Sequence, residues 1–448
     1  MNQAVFAEDT SSAVSGERLI AEISGYTHKG IGVARRGKEV IFIPGVLQGE
    51  KVKIELTGKR KGVWQAKAVS ILEPSPERIE PLCPVYARCG GCELQHMTYA
   101  EECRFKQQQV STALRRVGGL DDSYEMRQLL AAGQQYNYRN TGIFHVVHNA
   151  DGQHLTFWGG GSHQSAGQSC RLLFPPVFNA ITEWLSVHEL PPNITDVMLR
   201  CSHDQQSVML ILRLSTSDGQ AAAELLQQAA AEFPALQVWG VQIGQEYRLL
   251  SEAQQITTKL ADISYRLSPA AFFQVNYQQT LQMLQVIQGA LDGSEEVLLD
   301  AYCGIGTLGV YLAAKQPTIK QLVGVEVNTA AVENARLNAA NNGLRGARFY
   351  AGKAEERFAD ILRRYRKVDA VIIDPPRAGC HKKLLQGLLQ LGAPKIIYVS
   401  CNPATLARDL QLLCADMYRP VLVQPIDMFP RTHHVETVVL LSRKDVHK

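Results

Sequence analysis

One cysteine, Cys401, lies in a Ser-Cys-Asn-Pro segment directly after an apolar stretch typical of a buried strand. A cysteine thiolate can add to carbon 6 of a pyrimidine ring, which makes carbon 5 nucleophilic toward the methyl group of a sulfonium. A helix N-terminus favours the thiolate form, and residues 405–409 are typical of a helix start. A cysteine at a strand end is also a common packing residue, so its position alone leaves both interpretations open.

A 5-methylated product also requires a base that removes the proton from carbon 5. Residues 433–436 read His-His-Val-Glu and precede an apolar stretch, 437–441, that is typical of a strand. We predict Glu436 as this base, because a carboxylate beside a buried segment has a raised pKa. His433 and His434 would point to opposite faces of a strand, so a joint metal site is not expected.

Three further strand ends carry residues suited to a nucleoside ligand. Residues 300–307 read Asp-Ala-Tyr-Cys-Gly-Ile-Gly-Thr, and the glycines allow a tight turn close to a ligand. Glu326 ends the next strand, 26 residues after Asp300, where an acid can accept the hydroxyls of a ribose. The third glycine of dinucleotide-binding loops is missing, which favours S-adenosylmethionine; a loop without a ligand is the alternative. The Asp-Pro-Pro-Arg segment 374–377 would face the same crevice.

A cluster of cysteines lies near the N-terminal third of the chain. Cys83, Cys89 and Cys92 fall within ten residues, and two glycines precede the last of them. Three thiols at this spacing indicate a metal site, which needs a fourth ligand; Cys103 and Cys170 are the candidates. The spacing does not separate zinc from an iron–sulfur cluster.

The elements that must position these residues divide into three parts. Short alternating segments with glycine turns up to about residue 71 predict a small β-barrel. From about residue 268 onward, apolar strands alternate with helices, which predicts a doubly wound α/β domain with a mainly parallel sheet. We therefore predict a multidomain chain: a disordered tail over 1–16, a barrel over 17–78, a central α+β domain with the cysteine loop over 79–267, and a Rossmann-like domain over 268–448.

Composition limits the possible classes of protein. Hydrophobic residues make up 46% of the 448 residues, which excludes global disorder, and the sequence has no apolar run long enough for a membrane helix. The net charge is +3, but residues 17–79 hold 12 Lys and Arg against 7 Asp and Glu. A basic module on a nearly neutral body indicates an anionic partner. An N-terminus without an apolar signal predicts a cytoplasmic protein with reduced cysteines.

Together these features resemble the RNA 5-methyluridine methyltransferase family, in its branch with an N-terminal TRAM domain and an iron–sulfur cluster. The resemblance extends from about residue 17 to about residue 441. Six motifs occur in family order: the cysteine loop, Phe-Gln-Val-Asn at 273–276, and the segments 300–306, 374–377, 400–403 and 433–436.

The resemblance implies a role for individual residues. It implies that Cys401 is the nucleophile and that Glu436 is the proton acceptor. It implies a fourth cluster ligand, Cys170, in place of Cys103, and a [4Fe–4S] cluster held with Cys83, Cys89 and Cys92. It also implies four residues that line the S-adenosylmethionine site: Gln274, Tyr302, Glu326 and Asp374.

The TRAM-like barrel is expected to bind RNA. Its basic residues can contact phosphates, and Trp64 can stack on a base; a solvated basic face is the alternative. The basic residues in question are Lys51, Lys53, Lys59, Arg60, Lys61 and Lys67. We expect a monomeric uracil-5-methyltransferase that acts on RNA, with 23S ribosomal RNA favoured over transfer RNA. An RNA cytosine-5-methyltransferase and a non-catalytic RNA-binding assembly factor are the alternatives.

Overall fold

The computed structural model of the chain describes residues 15–121, 123–149, 152–157, 170, 172–365 and 367–444. It divides into two compact units. The first contains residues up to Ala87, Gly91–Lys106 and Arg431–His433, and the second contains the rest. Most of the tail expected over 1–16 lies outside the described residues, but the Gly16 amide donates to the Leu56 carbonyl at 2.7 Å. The boundaries expected at 78 and 267 remain predictions.

The first unit contains a six-stranded sheet in the order β1-β5-β6-β4-β3-β2, in which β4 and β6 are parallel and the other neighbours are antiparallel. Its strands are β1 (Arg18–Glu22), β2 (Gly25–Tyr26), β3 (Gly32–Arg36), β4 (Glu39–Ile43), β5 (Lys51–Arg60) and β6 (Val63–Glu73). Buried and exposed side chains alternate along β5: Val52, Ile54 and Leu56 are buried, whereas Lys51 and Lys53 are exposed. The β-rich N-terminal part predicted from the sequence is therefore confirmed.

The expectation that Trp64 stacks on an RNA base is wrong. Its side chain lies in the core of this sheet and is 6% exposed. The indole Nε1 donates to Glu39 Oε1 at 2.9 Å, and the Lys59 ammonium lies 4.7 Å from the ring centroid. Trp64 occupies an inward position of β6, so the ring is not available to a base.

Two helices and a mixed sheet follow in the chain. The helices are α1 (Tyr86–Cys89) and α2 (Tyr99–Arg116), followed by the short β7 (Glu125–Met126). The second unit contains a sheet in the order β13-β12-β11-β10-β8-β9 and a separate hairpin, β14-β15. In chain order these are β8 (Thr141–Asn149), β9 (Gly152–Thr156), α3 (Pro176–Val187), β10 (Ile194–Cys201), β11 (Val208–Leu214), α4 (Gln220–Glu232), β12 (Leu236–Ile243), β13 (Glu246–Leu249), β14 (Ile256–Leu260) and β15 (Ile263–Leu267).

The C-terminal part of the second unit is an α/β sheet of eight strands in the order β18-β17-β16-β19-β20-β22-β21-β7. Its further elements are α5 (Tyr277–Gly289), β16 (Val297–Ala301), α6 (Thr307–Lys315), β17 (Gln321–Glu326), α7 (Thr329–Asn341), β18 (Ala347–Ala351), α8 (Ala354–Arg364), β19 (Ala370–Ile373), α9 (Lys382–Leu391), β20 (Lys395–Ser400), α10 (Pro403–Cys414), β21 (Tyr418–Ile426) and β22 (Glu436–Arg443).

This sheet confirms the doubly wound α/β domain that the sequence predicts. The five strands β16 to β20 are parallel, and a helix connects each of them to the next. Every residue of β19 is buried, because parallel strands are covered by helices on both faces and lose the alternation of a half-exposed strand. β22 differs, since it runs antiparallel to β20 and to β21. Among the described helices, none has the length and apolar character needed to cross a bilayer.

Candidate active site

The strand register brings the predicted site residues to one edge of the α/β sheet. Ser400 at the end of β20 pairs with Thr437 of β22. Cys401 directly follows Ser400, and Glu436 directly precedes Thr437. Because the two strands are antiparallel, the thiol and the carboxyl group are neighbours across the sheet. Ala301 of β16 pairs with residues of β17 and β19 that directly precede Glu326 and Asp374. Parallel strands place their carboxyl ends at a single edge, where ligands bind in this class of fold.

The thiol of Cys401 lies between the end of β20 and the start of α10. Asn402 caps that helix, because its side chain accepts a hydrogen bond from the Ala404 amide at 3.1 Å. Burial raises the pKa of Cys401 to about 11, and the negative charge of Glu436 acts in the same direction. Arg377 opposes both by stabilising the thiolate, while Asp374 adds a smaller upward effect. Burial and the neighbouring carboxyl groups thus favour the protonated thiol, whereas Arg377 favours the thiolate.

Glu436 and Asp374 form a pair of carboxyl groups beside this thiol. The Glu436 side chain is 3% exposed, and its Oε1 has no hydrogen-bond partner among the described residues. Burial raises the pKa of Glu436 well above its usual value, Asp374 raises it further, and Arg377 opposes them. Burial also raises the pKa of the Asp374 carboxyl to about 7. The Asp374 carboxyl group can thus hold or release a proton near neutral pH.

A cleft of about 640 Å³ lies at this edge of the sheet, a volume within the usual range for small-molecule sites. Its lining includes Tyr302, Glu326, Val327, Lys353, Pro376 and His381. Two of the four residues predicted to bind the cofactor are therefore in the lining. The other two, Gln274 and Asp374, are not among the residues that line it, but they contact each other: Gln274 Nε2 lies 3.5 Å from Asp374 Oδ2.

The loop after β16 hydrogen-bonds to the side chain of Glu326, the acidic residue that is predicted to bind the ribose of the cofactor. Glu326 Oε2 accepts from the Gly304 amide at 3.1 Å, and Oε1 accepts from the Asn328 amide at 2.8 Å. The loop reaches this position through left-handed backbone at Tyr302, with φ 66°, and at Gly304, with φ 54°. The two amides fix the Glu326 carboxylate at the mouth of the cleft, where its outer lone pairs can accept hydroxyl groups.

Sequence reasoning missed the role of Asp300, which it used only to mark the start of the loop. The residue is 1% exposed, its Oδ2 accepts from the Gly309 amide at 2.9 Å, and its Oδ1 has no partner among the described residues. Burial raises the pKa of Asp300 to about 8, and Asp374 and Glu326 add to that effect. The available signal was an acidic residue that ends an otherwise apolar strand.

The predicted metal site finds no support among the described residues. Cys83 and Cys92 belong to the first unit, and Cys89 and Cys170 belong to the second. Soft thiolate donors suit an iron–sulfur cluster. Within the described ranges, however, no group of three or more Cys, His, Asp or Glu side chains lies close enough to hold a metal ion. The assignment of Cys83, Cys89, Cys92 and Cys170 as cluster ligands therefore remains a prediction.

The two adjacent histidines are separated, as their opposite directions on an extended chain predict. His434 Nε2 lies 3.2 Å from Arg377 Nη2, whereas His433 belongs to the first unit, where its Nδ1 lies 3.2 Å from Glu93 Oε1. His434 thus lies beside the positive group that acts on the thiol.

A parallel α/β sheet whose edge carries a nucleoside-sized cleft, a thiol and buried carboxyl groups is typical of a methyltransferase that uses S-adenosylmethionine. Residues 198–444 match the family model described as tRNA (Uracil-5-)-methyltransferase. The chain belongs to this family of RNA uracil-5-methyltransferases. It is therefore an enzyme that uses S-adenosylmethionine and whose expected substrate is RNA.

Individual relatives agree with this family. An uncharacterized RNA methyltransferase of Clostridium tetani is 32% identical and is matched over 94% of this chain and 95% of its own length. One from Listeria monocytogenes is 34% identical, with 94% and 96% covered. The crystal structure of Pyrococcus abyssi tRNA (uracil-54, C5)-methyltransferase in complex with S-adenosyl-L-homocysteine has a TM-score of 0.75 and 25% identity, and the match covers 94% of this chain and 99% of that one.

The buried Asp300 carboxyl predicts a pH-dependent stability difference for Asp300→Asn. The folded pKa of Asp300 is about 8, which lies above its unfolded value. The protonated carboxyl group therefore stabilises the folded wild type fully below the unfolded pKa, and this stabilisation is lost as the pH rises toward 8. The amide cannot ionise and keeps an oxygen for the Gly309 amide. Relative to wild type, the variant should gain at least about 1 kcal/mol in free energy of unfolding between pH 5 and pH 9.

Urea denaturation across this pH range measures the difference. The control is Asp416→Asn, which changes an exposed carboxylate after the end of α10. A variant-minus-wild-type difference that is the same at both pH values would contradict the assignment.

Proposed function

We propose that this enzyme methylates carbon 5 of a uridine in 23S ribosomal RNA through a transient bond between Cys401 and carbon 6 of the base. The observation that carries the proposal is the Ser400–Thr437 pairing, which puts the thiol beside the Glu436 carboxyl group at the edge where the cofactor loop ends. We further propose that the enzyme acts as a monomer, since a single chain carries the thiol, the carboxyl groups and the cofactor cleft.

Residues of the α/β domain would hold the cofactor. When bound, S-adenosylmethionine supplies the methyl group that carbon 5 accepts, and it leaves as the neutral thioether. Glu326 is proposed to accept the ribose hydroxyls, with Tyr302 beside it in the lining of the cleft. Gln274 and Asp374, which contact each other, are proposed to complete the cofactor site on the side of the thiol.

The thiol must lose its proton before it can attack the ring. Asp374, whose pKa lies near 7, is proposed to take that proton, and Arg377 stabilises the thiolate. The Cys401 Sγ then bonds to carbon 6, the electrons of the carbon 5–carbon 6 double bond move toward the carbonyl oxygen of carbon 4, and carbon 5 becomes the nucleophile.

Glu436 is proposed to complete the reaction. After methylation, carbon 5 carries both the new methyl group and its original proton. The Glu436 carboxylate removes this proton, the carbon 5–carbon 6 double bond re-forms, and the Cys401 sulfur leaves carbon 6 with the bonding pair. Burial makes Glu436 a strong base once it is ionised, because the desolvated carboxylate binds a proton tightly.

Substitution of the base should trap the covalent intermediate. Glu436→Gln should accumulate a protein–RNA adduct that survives a denaturing gel, because elimination is blocked, and turnover should fall at least about a hundredfold. Cys401→Ala should form no adduct and transfer no methyl group while still binding RNA. Glu333→Gln, a change of an exposed carboxylate on α7, is the matched control and should behave as wild type. Turnover by Cys401→Ala would refute the covalent route.

Transfer RNA is the second candidate substrate, because the Pyrococcus abyssi enzyme with a similar fold is described as a tRNA (uracil-54, C5)-methyltransferase. Unmodified 23S ribosomal RNA fragments and transfer RNA transcripts, supplied separately with labelled S-adenosylmethionine, distinguish the two. Nucleoside mass spectrometry of the product then separates 5-methyluridine from 5-methylcytidine. RNA binding with no methyl transfer to either substrate would favour the assembly-factor alternative.

The N-terminal sheet is proposed to be a TRAM domain that binds RNA phosphates. Lys51, Lys59 and Lys67 are held by the carboxylates of Glu73, Glu39 and Glu55. Lys53, Arg60 and Lys61 are exposed and form no ion pair within the described part of the chain. These three are therefore the stronger candidates for binding phosphates.

Substitution of two of these residues should reduce the salt dependence of RNA binding. The double variant Arg60→Gln, Lys61→Gln should lower the slope of log affinity against log salt by about 0.7 for each phosphate that the protein no longer neutralises. Lys67→Gln removes one positive charge that is already paired, and should change the slope less. Filter binding from 50 to 200 mM salt provides the measurement, and an unchanged slope in the double variant would contradict this role.

The [4Fe–4S] cluster is proposed on the family resemblance alone, since the cysteine spacing does not distinguish it from zinc. Protein purified without oxygen should contain iron and labile sulfide in a ratio of roughly one to one, and Cys170→Ala should reduce both. Cys414→Ala, which removes a thiol far from the cysteine loop in the sequence, is the control. Zinc without iron or sulfide in elemental analysis would overturn the cluster assignment.

A further inference from the structure

One face of α10, the helix that follows the nucleophile, holds the loop that follows Asp374. Asn402 Nδ2 donates to the Arg377 carbonyl at 3.0 Å, and Thr405 Oγ1 donates to the same oxygen at 3.2 Å. One turn further along the helix, Arg408 Nη2 donates to the Ala378 carbonyl at 3.0 Å. Residues three apart share a helix face, so these donors form a single row along the loop.

Asp409, the residue after Arg408, holds the same loop from a buried position. Its side chain is fully buried, and its Oδ2 accepts from the Cys380 amide at 2.7 Å and from the Tyr398 hydroxyl at 2.7 Å. Its Oδ1 accepts from Arg408 Nε at 2.8 Å. A buried carboxylate is tolerated only when it is paired and hydrogen-bonded, so these contacts hold Asp409 in one position. Since Tyr398 belongs to β20, Asp409 connects the loop, the helix and the strand that ends at the thiol.

The loop lies so close to α10 that one of its positions excludes a side chain. Gly379 has φ 80°, a conformation that favours glycine. A Cβ at this position would collide with Arg408 Nη2 and would lie 2.7 Å from Asp409 Oδ2. The backbone of the loop therefore packs directly on the anchoring residues and cannot move toward the helix.

The loop itself serves two parts of the site. Pro376, Ala378 and His381 line the cofactor cleft. Arg377 lies between Pro376 and Ala378, and its positive charge lowers the pKa of both Cys401 and Glu436 against the effect of burial. The Arg377 side chain is exposed and forms no ion pair with a carboxylate among the residues described. Its place is therefore set by its backbone, which is the part of the residue that α10 holds.

We propose that Asp409 is a positioning residue, which acts with Thr405 and Gly379 to fix Arg377 beside Cys401 and Glu436. This inference rests on the proposed roles of Cys401 and Glu436. The loop that α10 holds would then form part of the wall of the cofactor cleft and would also carry the positive charge that acts on the nucleophile. The charged groups that face the thiol are Glu436 from β22 and Asp374 and Arg377 from the loop after β19, and only Arg377 among them depends directly on this brace.

The test is the pH dependence of adduct formation with RNA that contains 5-fluorouridine, from which no base can remove a proton at carbon 5. Asp409→Asn keeps the shape of the side chain but places an amide nitrogen opposite the Arg408 guanidinium. Its rate profile should move toward higher pH by about one unit, since loss of a nearby opposite charge raises the pKa of a thiol. At pH 7 that shift corresponds to about tenfold slower adduct formation, while affinity for RNA stays within about threefold.

Two further variants keep the test decisive. Thr405→Val removes one donor to the Arg377 carbonyl without changing the shape of the side chain, and should shift the profile in the same direction by a smaller amount. It serves as the deciding variant if Asp409→Asn does not fold. Asp416→Asn, an exposed change after the same helix, should leave the profile unchanged. A purely structural role would lower the melting temperature of Asp409→Asn without moving its pH profile.

The possible failures are distinguishable. Wild-type protein that methylates RNA, together with folded Asp409→Asn and Thr405→Val variants that keep the wild-type pH profile, would overturn the positioning role alone. Wild-type protein that neither forms an adduct nor transfers a methyl group would overturn the proposed function, and the positioning role with it.

Discussion

The antiparallel pairing of β22 with β20 is the contact on which the rest of the candidate site depends. β20 reaches the ligand edge of the sheet with its last residue, as a parallel strand does, whereas β22 begins there. A parallel strand in the place of β22 would carry Glu436 to the opposite edge. The reversal puts a residue from the start of one strand beside Cys401 from the end of another, and so joins the two groups that the proposed chemistry requires.

Burial sets the electrostatics of this edge. Cys401, Glu436, Asp374 and Asp300 are all acids whose pKa is raised chiefly by burial, and Asp374 raises the pKa of the other three further. Arg377 is the positive charge that acts against this trend at the thiol and at Glu436. Burial therefore favours the protonated forms of these groups, and a nearby positive charge favours release of their protons.

The sequence predicts the parts of this structure that depend on local pattern. Buried parallel strands are continuous apolar runs, and the residues that directly follow them, Cys401 and Asp374, could be recognised as candidates from the chain alone. Interactions between distant segments leave no such signal. The support of the 376–380 loop by Asp409 joins residues far apart in sequence, and nothing in the local pattern distinguishes Asp409 from a surface acid. The prediction that Trp64 stacks on a base was wrong, and the local pattern already argued against it. Trp64 and Ala66 alternate with the more polar positions of β6, which places the ring on the inner face.

The central claim is that the sulfur of Cys401 bonds to carbon 6 of the target base. Tryptic digestion and mass spectrometry of the adduct between wild-type protein, S-adenosylmethionine and RNA that contains 5-fluorouridine test it most directly. A covalent bond to Cys401 predicts one modified peptide, which contains Cys401 and carries a nucleotide that has already gained the methyl group. A nucleotide attached to any other residue, or full methylation of natural RNA by protein that never yields an adduct, would contradict it.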